Sequence, residues 1–110
     1  MEYIVVLITT PQTEESKKIA DKLVREKIAA CVNIIPQVNS MFWWENKVNN
    51  EPESLLIIKT IKNQLKKLIR TVKEIHAYSV PEIIALPIIG GNEDYLKWIE
   101  ESIEVRSKET

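Results

Sequence analysis

The chain carries one histidine and one cysteine, His76 and Cys31, and these are its two most versatile chemical groups. His76 opens the segment His76-Ala77-Tyr78-Ser79-Val80-Pro81-Glu82. An imidazole titrates near neutral pH and ligates metals, while a thiolate acts as a nucleophile or a soft ligand. A Cys–His dyad has little support, because neither a helix N-terminus nor a basic residue stands beside Cys31 in sequence to favour its thiolate. The ordinary role of such a cysteine is that of a small hydrophobe on a strand. The sequence holds no CxxC, HxxxH or HExxH spacing, so a compact zinc site is not expected. What remains is a looser site joining Cys31, His76 and Glu82 from distant segments, completed by a second subunit where needed. Thiolate with imidazole suits copper or zinc better than calcium or magnesium. The competing role for His76 is a charge–dipole contact at a helix C-terminus.

Other polar groups add less. Lys59 ends an apolar strand, where a solvated charge is the default; it gains meaning only if that strand end opens into a cleft with Glu82 or Glu53. Trp43, Trp44 and Trp98 are expected as core or interface residues. The pairs Glu51/Glu53 and Glu14/Glu15 lie in polar surroundings and are expected to be solvated. No carboxylate pair is arranged as general acid and base, so an enzyme is not expected.

These groups must be positioned by a recognisable series of elements. Ile4 to Ile8 is a continuous apolar run of the buried-strand kind. Thr10 or Thr13 is a candidate N-cap for a helix to about Lys27, with Pro11, Glu14 and Glu15 suiting its start. Ile19, Ala20, Leu23 and Val24 form its apolar face. A strand follows from Ala30 to Ile35, interrupted by Pro36, which suggests a bend or bulge, and resumed from Val38 to Trp44. Glu45-Asn46-Lys47 reads as a hairpin turn, and a return strand runs from about Glu53 to Thr60. Leu65, Leu68, Ile69, Val72 and Ile75 mark a second helix from Lys62 to His76. Ile83 to Ile88 is a last strand. Gly90-Gly91-Asn92 then turns into a third helix carrying Tyr95, Leu96, Trp98, Ile99 and Ile103.

The order β-α-β-β-α-β with a C-terminal helix predicts an α+β, ferredoxin-like fold with an antiparallel sheet. Several strands are apolar on both faces: Leu55 and Ile57 oppose Leu56 and Ile58, and Val5 and Leu7 oppose Ile4, Val6 and Ile8. Helices on one side cannot cover both, so the other face is expected against a second subunit.

The bulk numbers narrow the function. One hundred and ten residues, 45% hydrophobic, make one domain over 1–110. A net charge of -1 argues against nucleic acid or an anionic membrane as partner. No apolar run approaches the roughly 18 residues that a bilayer demands. The first residues lack a signal peptide's basic start, and a single cysteine fits a reducing, cytoplasmic setting. Two glycines leave no phosphate-binding glycine loop.

Several segments, in order, carry a family likeness. They are Ala29-Ala30-Cys31-Val32-Asn33-Ile34-Ile35-Pro36, Ser40 through Trp44, Ile57-Ile58-Lys59-Thr60, His76 with Tyr78 and Pro81-Glu82-Ile83, and Gly91-Asn92 with Tyr95-Leu96-Lys97-Trp98-Ile99. Together they span nearly the whole chain, which resembles the CutA divalent cation tolerance family. The resemblance implies a tight, PII-like homotrimer that binds or responds to divalent cations, chiefly copper, without catalysis. It implies an inter-subunit cleft carrying Trp44, Lys59, Tyr78 and Trp98, with Cys31, His76 and Glu82 as metal ligands. An alternative within the same likeness is a PII-like sensor of a small anion held by Lys59, His76 and Trp44. The chain departs from the family's usual pattern at Asn46, where glycine is common, and at Ala77 and Ser79, where proline and glutamate are common.

Overall fold

A computed structural model describes residues 1–103; residues 104–110 of the expected single domain lie outside the described residues. The elements are β1 (Tyr3–Thr10), α1 (Thr13–Arg25), β2 (Cys31–Trp44), β3 (Lys47–Ile61), a 3-10 turn (Lys62–Gln64), α2 (Leu65–Ile75), β4 (Ile83–Pro87) and α3 (Glu93–Ser102). The strands form one antiparallel sheet in the order β2-β3-β1-β4. This is the ferredoxin-like α+β arrangement read from the element order.

Alternation divides each strand between two faces. On one, Ile4, Val6 and Ile8 of β1 and Leu56 and Ile58 of β3 are buried against Ile19 and Leu23 of α1 and Leu68 and Val72 of α2. Val24, expected on the same stripe as Leu23, is instead 43% exposed, because one further residue rotates a side chain by about 100° around the helix. On the other face α3 covers one end only. There Ile99 and Ile103 pack with Ile61, Tyr3 and Leu96, and Tyr3 pairs with Ile61 across β1 and β3. At the opposite end Glu82 and Tyr78 meet Thr9 and Glu53; between the two ends, among the described residues, the middle of that face has no cover. Leu7 lies between Ile57 and Ile84, and Val5 between Lys59 and Leu86; Ile84 and Leu86 are about half exposed.

The chain leaves α1 through a turn that aims Cys31 into the sheet. Lys27 adopts φ 58; its N–H donates to the Val24 carbonyl (3.0 Å) and the Ile28 N–H to the Leu23 carbonyl (2.9 Å). That is a Schellman motif with a lysine where glycine is preferred. Its apolar contact joins Leu23 and Ile28, both fully buried. A Lys27→Gly variant is therefore expected to gain about 0.5 kcal/mol, the left-handed penalty of a Cβ less glycine's entropy cost, seen as a higher urea midpoint.

Two boundaries, the α1 N-cap and the start of β3, differ from expectation. The helix α1 has Gln12 at its N-cap without a side-chain hydrogen bond. Thr10 is fully buried and lies 2.8 Å from the Ser16 hydroxyl, which donates to Ser54 at 2.9 Å. The strand β2 runs through Pro36 with a register shift between Ile35 and Val38, the bulge expected of a residue that cannot donate to the ladder. The strand β3 begins at Lys47, because Val48 to Glu53 pair with Val38 to Trp43 in a long arm. The β1 pairing stops at Ser54, so Pro52 sits where one side of β3 has no neighbour and a missing N–H is tolerated. Glu45 and Asn46 close the arm at φ 53 and 65, a type I′ turn in which Asn46 does what a glycine would.

Candidate functional site

The end of β1, the C-terminus of α2 and the segment before β4 meet at His76. This residue caps α2 in an extended conformation, and its side chain is 0% exposed. Its Nε2 lies 2.8 Å from the Thr9 carbonyl oxygen, and the Tyr78 N–H donates to its Nδ1 at 3.0 Å. A carbonyl only accepts and an amide N–H only donates. The ring is therefore the neutral Nε2–H tautomer, with its one lone pair already used. Glu15 Oε2, 3.4 Å from Nδ1, instead accepts from the Ala77 N–H at 2.7 Å. In this protomer both ring nitrogens are engaged, and the residue is a strut tying residues 76–78 to β1.

That strut holds one wall of a cleft of about 890 Å3 whose opposite wall is the β2–β3 arm. Phe42, Trp44, Glu51, Glu53, Tyr78 and Glu82 are among its lining, and no lysine or arginine is. The Tyr78 hydroxyl donates to Glu53 Oε2 at 2.7 Å, and the Thr9 hydroxyl to Glu82 Oε1 at 3.4 Å. The rings of His76 and Tyr78 are 5.1 Å apart. Burial first, then the Glu53 hydrogen bond and the charges of Glu53, Glu15 and Glu51, push the Tyr78 phenol well up from its usual range, so it stays a neutral donor. Glu53, expected to be solvated, is buried at 6% exposure. Its position just before the apolar run of β3 was the available signal.

Cys31, Lys59 and Trp98 lie at the other end of the sheet. Cys31 pairs with Lys59, which pairs with Val5, whereas the strut bonds to Thr9, four residues or about 13 Å along β1. Lys59 Nζ bonds Asn33 Oδ1, and the Cys31 thiol lies 3.9 Å from the same oxygen. Trp98 stacks on Tyr95 with centroids 5.4 Å apart. Burial, then the neighbouring Cys31 sulfur, push the Tyr95 phenol up; its nearness to Cys31, 64 residues earlier, comes from the fold and has no mark in the sequence spacing.

One protomer thus brings Trp44, Tyr78 and Glu82 to one cleft, places His76 behind it, and holds Cys31, Lys59 and Trp98 apart. Among the described residues no three His, Cys, Asp or Glu side chains converge to hold a metal ion, so a single protomer does not fit one. The anion set of Lys59, His76 and Trp44 is not assembled either, and the cleft's carboxylates oppose an anion.

The model of the CutA1 divalent ion tolerance protein family matches residues 4–102. The chain belongs to this family. It is 52% identical over 99 residues to Protein CutA 1, chloroplastic, of Oryza sativa, covering 90% of this chain and 56% of that one. The chain thus spans little more than half the length of this plant relative. It is 48% identical over 98 residues to the divalent-cation tolerance protein CutA of Thermus thermophilus, covering 89% and 95%. A crystal structure of CutA1 from Oryza sativa superposes with a TM-score of 0.92 at 49% identity, covering 94% of this chain and 95% of that one. No helix among the described residues is long and apolar enough to cross a membrane.

Proposed function

We propose that this CutA family member is a non-enzymatic homotrimer that binds divalent cations, chiefly copper, at sites shared between subunits, in the cytoplasm. The observation carrying the reading is the division of the polar residues between two ends of one uncovered apolar face. Packing copies face to face buries Leu7, Ile57 and Ile84 and brings one copy's Cys31 end toward a neighbour's Glu82 end. Thiolate with carboxylate and imidazole is a donor set that selects copper over magnesium. In this arrangement His76 ligates only after releasing the Tyr78 amide, and otherwise orients the cleft. The lone cysteine, with no disulfide partner in the chain, supports a reducing compartment.

The test is calorimetric titration of metal-free protein with Cu(II) and, separately, Mg(II). Native protein is expected to take up Cu(II) with a Kd at least a hundredfold below that for Mg(II). Cys31→Ser and Glu82→Gln are each expected to weaken Cu(II) by about tenfold or more. Unchanged affinity in both variants would remove these residues from the site. Equal affinity for the two metals would remove the copper preference.

A further inference from the structure

We propose that the buried row of hydroxyls Thr10, Ser16 and Ser54 is a two-state element that couples the start of α1 to the root of the β2–β3 arm. The argument is a count of hydrogens. Thr10 Oγ1 lies 2.8 Å from the Gln12 carbonyl oxygen and 2.8 Å from Ser16 Oγ. Ser16 Oγ lies 2.9 Å from Ser54 Oγ, and Ser54 Oγ lies 3.2 Å from the Ile35 carbonyl oxygen. Each hydroxyl carries one hydrogen and a carbonyl carries none. These four contacts therefore share three hydrogens, and one contact is always vacant. Among the described residues the three hydroxyls meet no other hydrogen-bond partner. Thr10 and Ser16 are 0% exposed and Ser54 is 1% exposed, so a neighbouring subunit cannot supply the missing hydrogen.

The vacancy has two places to sit. With Ser16 donating to Ser54 and Ser54 to Ile35, the Thr10 hydrogen has two acceptors at equal distance. When Thr10 turns to Ser16, the row is filled through to Ile35. The Gln12 carbonyl then keeps only the Ser16 N–H, at 3.2 Å. When Thr10 donates to Gln12, Ser16 turns to Thr10 and the Ser16–Ser54 contact opens. Rotating two hydroxyls moves the vacancy, and each bond polarises the next, so the row turns as a unit. Its ends adjoin both walls of the cleft. Thr10 follows Thr9, whose carbonyl holds His76. Ser54 pairs with Thr10 across the sheet and follows Glu53, which accepts from Tyr78. Ile35 stands at the register shift where the arm begins. A bond lost at the arm's root is thereby regained at the start of α1, through one element with two arrangements. The copper reading plays no part in this count.

The test reads the Gln12 carbonyl carbon by triple-resonance NMR, through the Thr13 N–H, in the labelled full-length protein. A carbonyl carbon moves downfield as its oxygen accepts more hydrogen. In Ser54→Ala, Ser16 loses its acceptor and turns to Thr10, so Thr10 donates to Gln12 all the time. The Gln12 signal is expected to move downfield, although the Ser54 hydroxyl bonds only Ser16 and Ile35. Ser16→Ala cuts the row in two and is expected to move Gln12 the same way. Thr10→Val removes the donor and is expected to move it upfield. Ile35→Val trims the same end of the row without touching a hydroxyl and is expected to leave Gln12 in place. The proposal fails if Gln12 stays or moves upfield in Ser54→Ala, or if Ile35→Val moves it as far. It also fails if Thr10→Val leaves it unmoved, because Thr10 then never serves that carbonyl. If Ser54→Ala does not fold, Ser16→Ala decides by the same sign, since alanine is the best helix former for its place in α1.

Discussion

Replacing His76 with alanine is expected to remove about 3 kcal/mol of stability at fixed protein concentration. The side chain is 0% exposed, and both ring nitrogens are engaged, with Thr9 at 2.8 Å and the Tyr78 amide at 3.0 Å. Truncation leaves a buried carbonyl and an amide N–H without partners, each costing roughly 1–3 kcal/mol, and opens a void beneath Tyr78. Water reaching Tyr78, a residue 36% exposed, offsets part of this. Urea denaturation measures the loss. Amide exchange should show it locally, as lost protection at Tyr78.

Two near-isosteres divide the effect. Glutamine places an N–H near the position of Nε2 and can still donate to Thr9. Asparagine places an oxygen near Nδ1 and can still accept from Tyr78. Each is expected to recover about half of the loss, roughly 1–2 kcal/mol. If alanine costs less than about 0.5 kcal/mol, which is the scale of surface substitutions, the strut has no structural weight. For the same reason a copper titration of His76→Ala alone cannot separate ligation from a disturbed cleft, whereas Cys31 and Glu82 variants leave the strut in place.

The position of this strut explains what the sequence conveys and what it withholds. Element order was legible because apolar periodicity is local: Ile19 with Leu23 and Leu68 with Val72 recur every four residues and face the sheet. The two-sided strands were legible for the same reason, since Leu55 to Ile58 can bury only alternate residues on each face. The arm was not, because Asn49 to Glu53 look like loop in composition and become strand only through pairing with Val38 to Phe42. The role of His76 was hidden because its partner at Thr9 is a main-chain carbonyl 67 residues away. No side-chain pattern marks such a partner. Glu53 and Tyr78 are likewise joined across 25 residues, by the fold rather than by spacing. The sorting of the motif residues into two ends of the sheet depends on register, which one chain's periodicity does not fix.

That sorting gives the uncovered face its importance, and a charge placed at its centre has the second large effect. Ile57 lies between Asn33 of β2 and Leu7 of β1, with Ile84 next across the sheet. In a lone protomer it is already partly buried, so Ile57→Asp costs the monomer about 1–3 kcal/mol. Against a second copy the carboxylate would lose its water among apolar side chains with no partner, at several kcal/mol per interface. Sedimentation of dilute native protein is expected to give about three times the protomer mass of 12.7 kDa. Ile57→Asp is expected to sediment as the protomer, while keeping its helical and strand circular dichroism. Lys18→Gln, exposed on α1, makes the same single-unit change, should leave the assembly intact and so controls for net charge. Native protein sedimenting at the protomer mass would mean that no copy covers this face, and the shared site would lose its second half. An assembled Ile57→Asp would place the subunit contact elsewhere, most directly on the aromatic arm, where Met41 and Trp43 are more than two-thirds exposed. The two outcomes are distinct because the arm, Val38–Glu53, extends past β1, whose pairing stops at Ser54. A charge at Ile57 therefore reports on the one without touching the other.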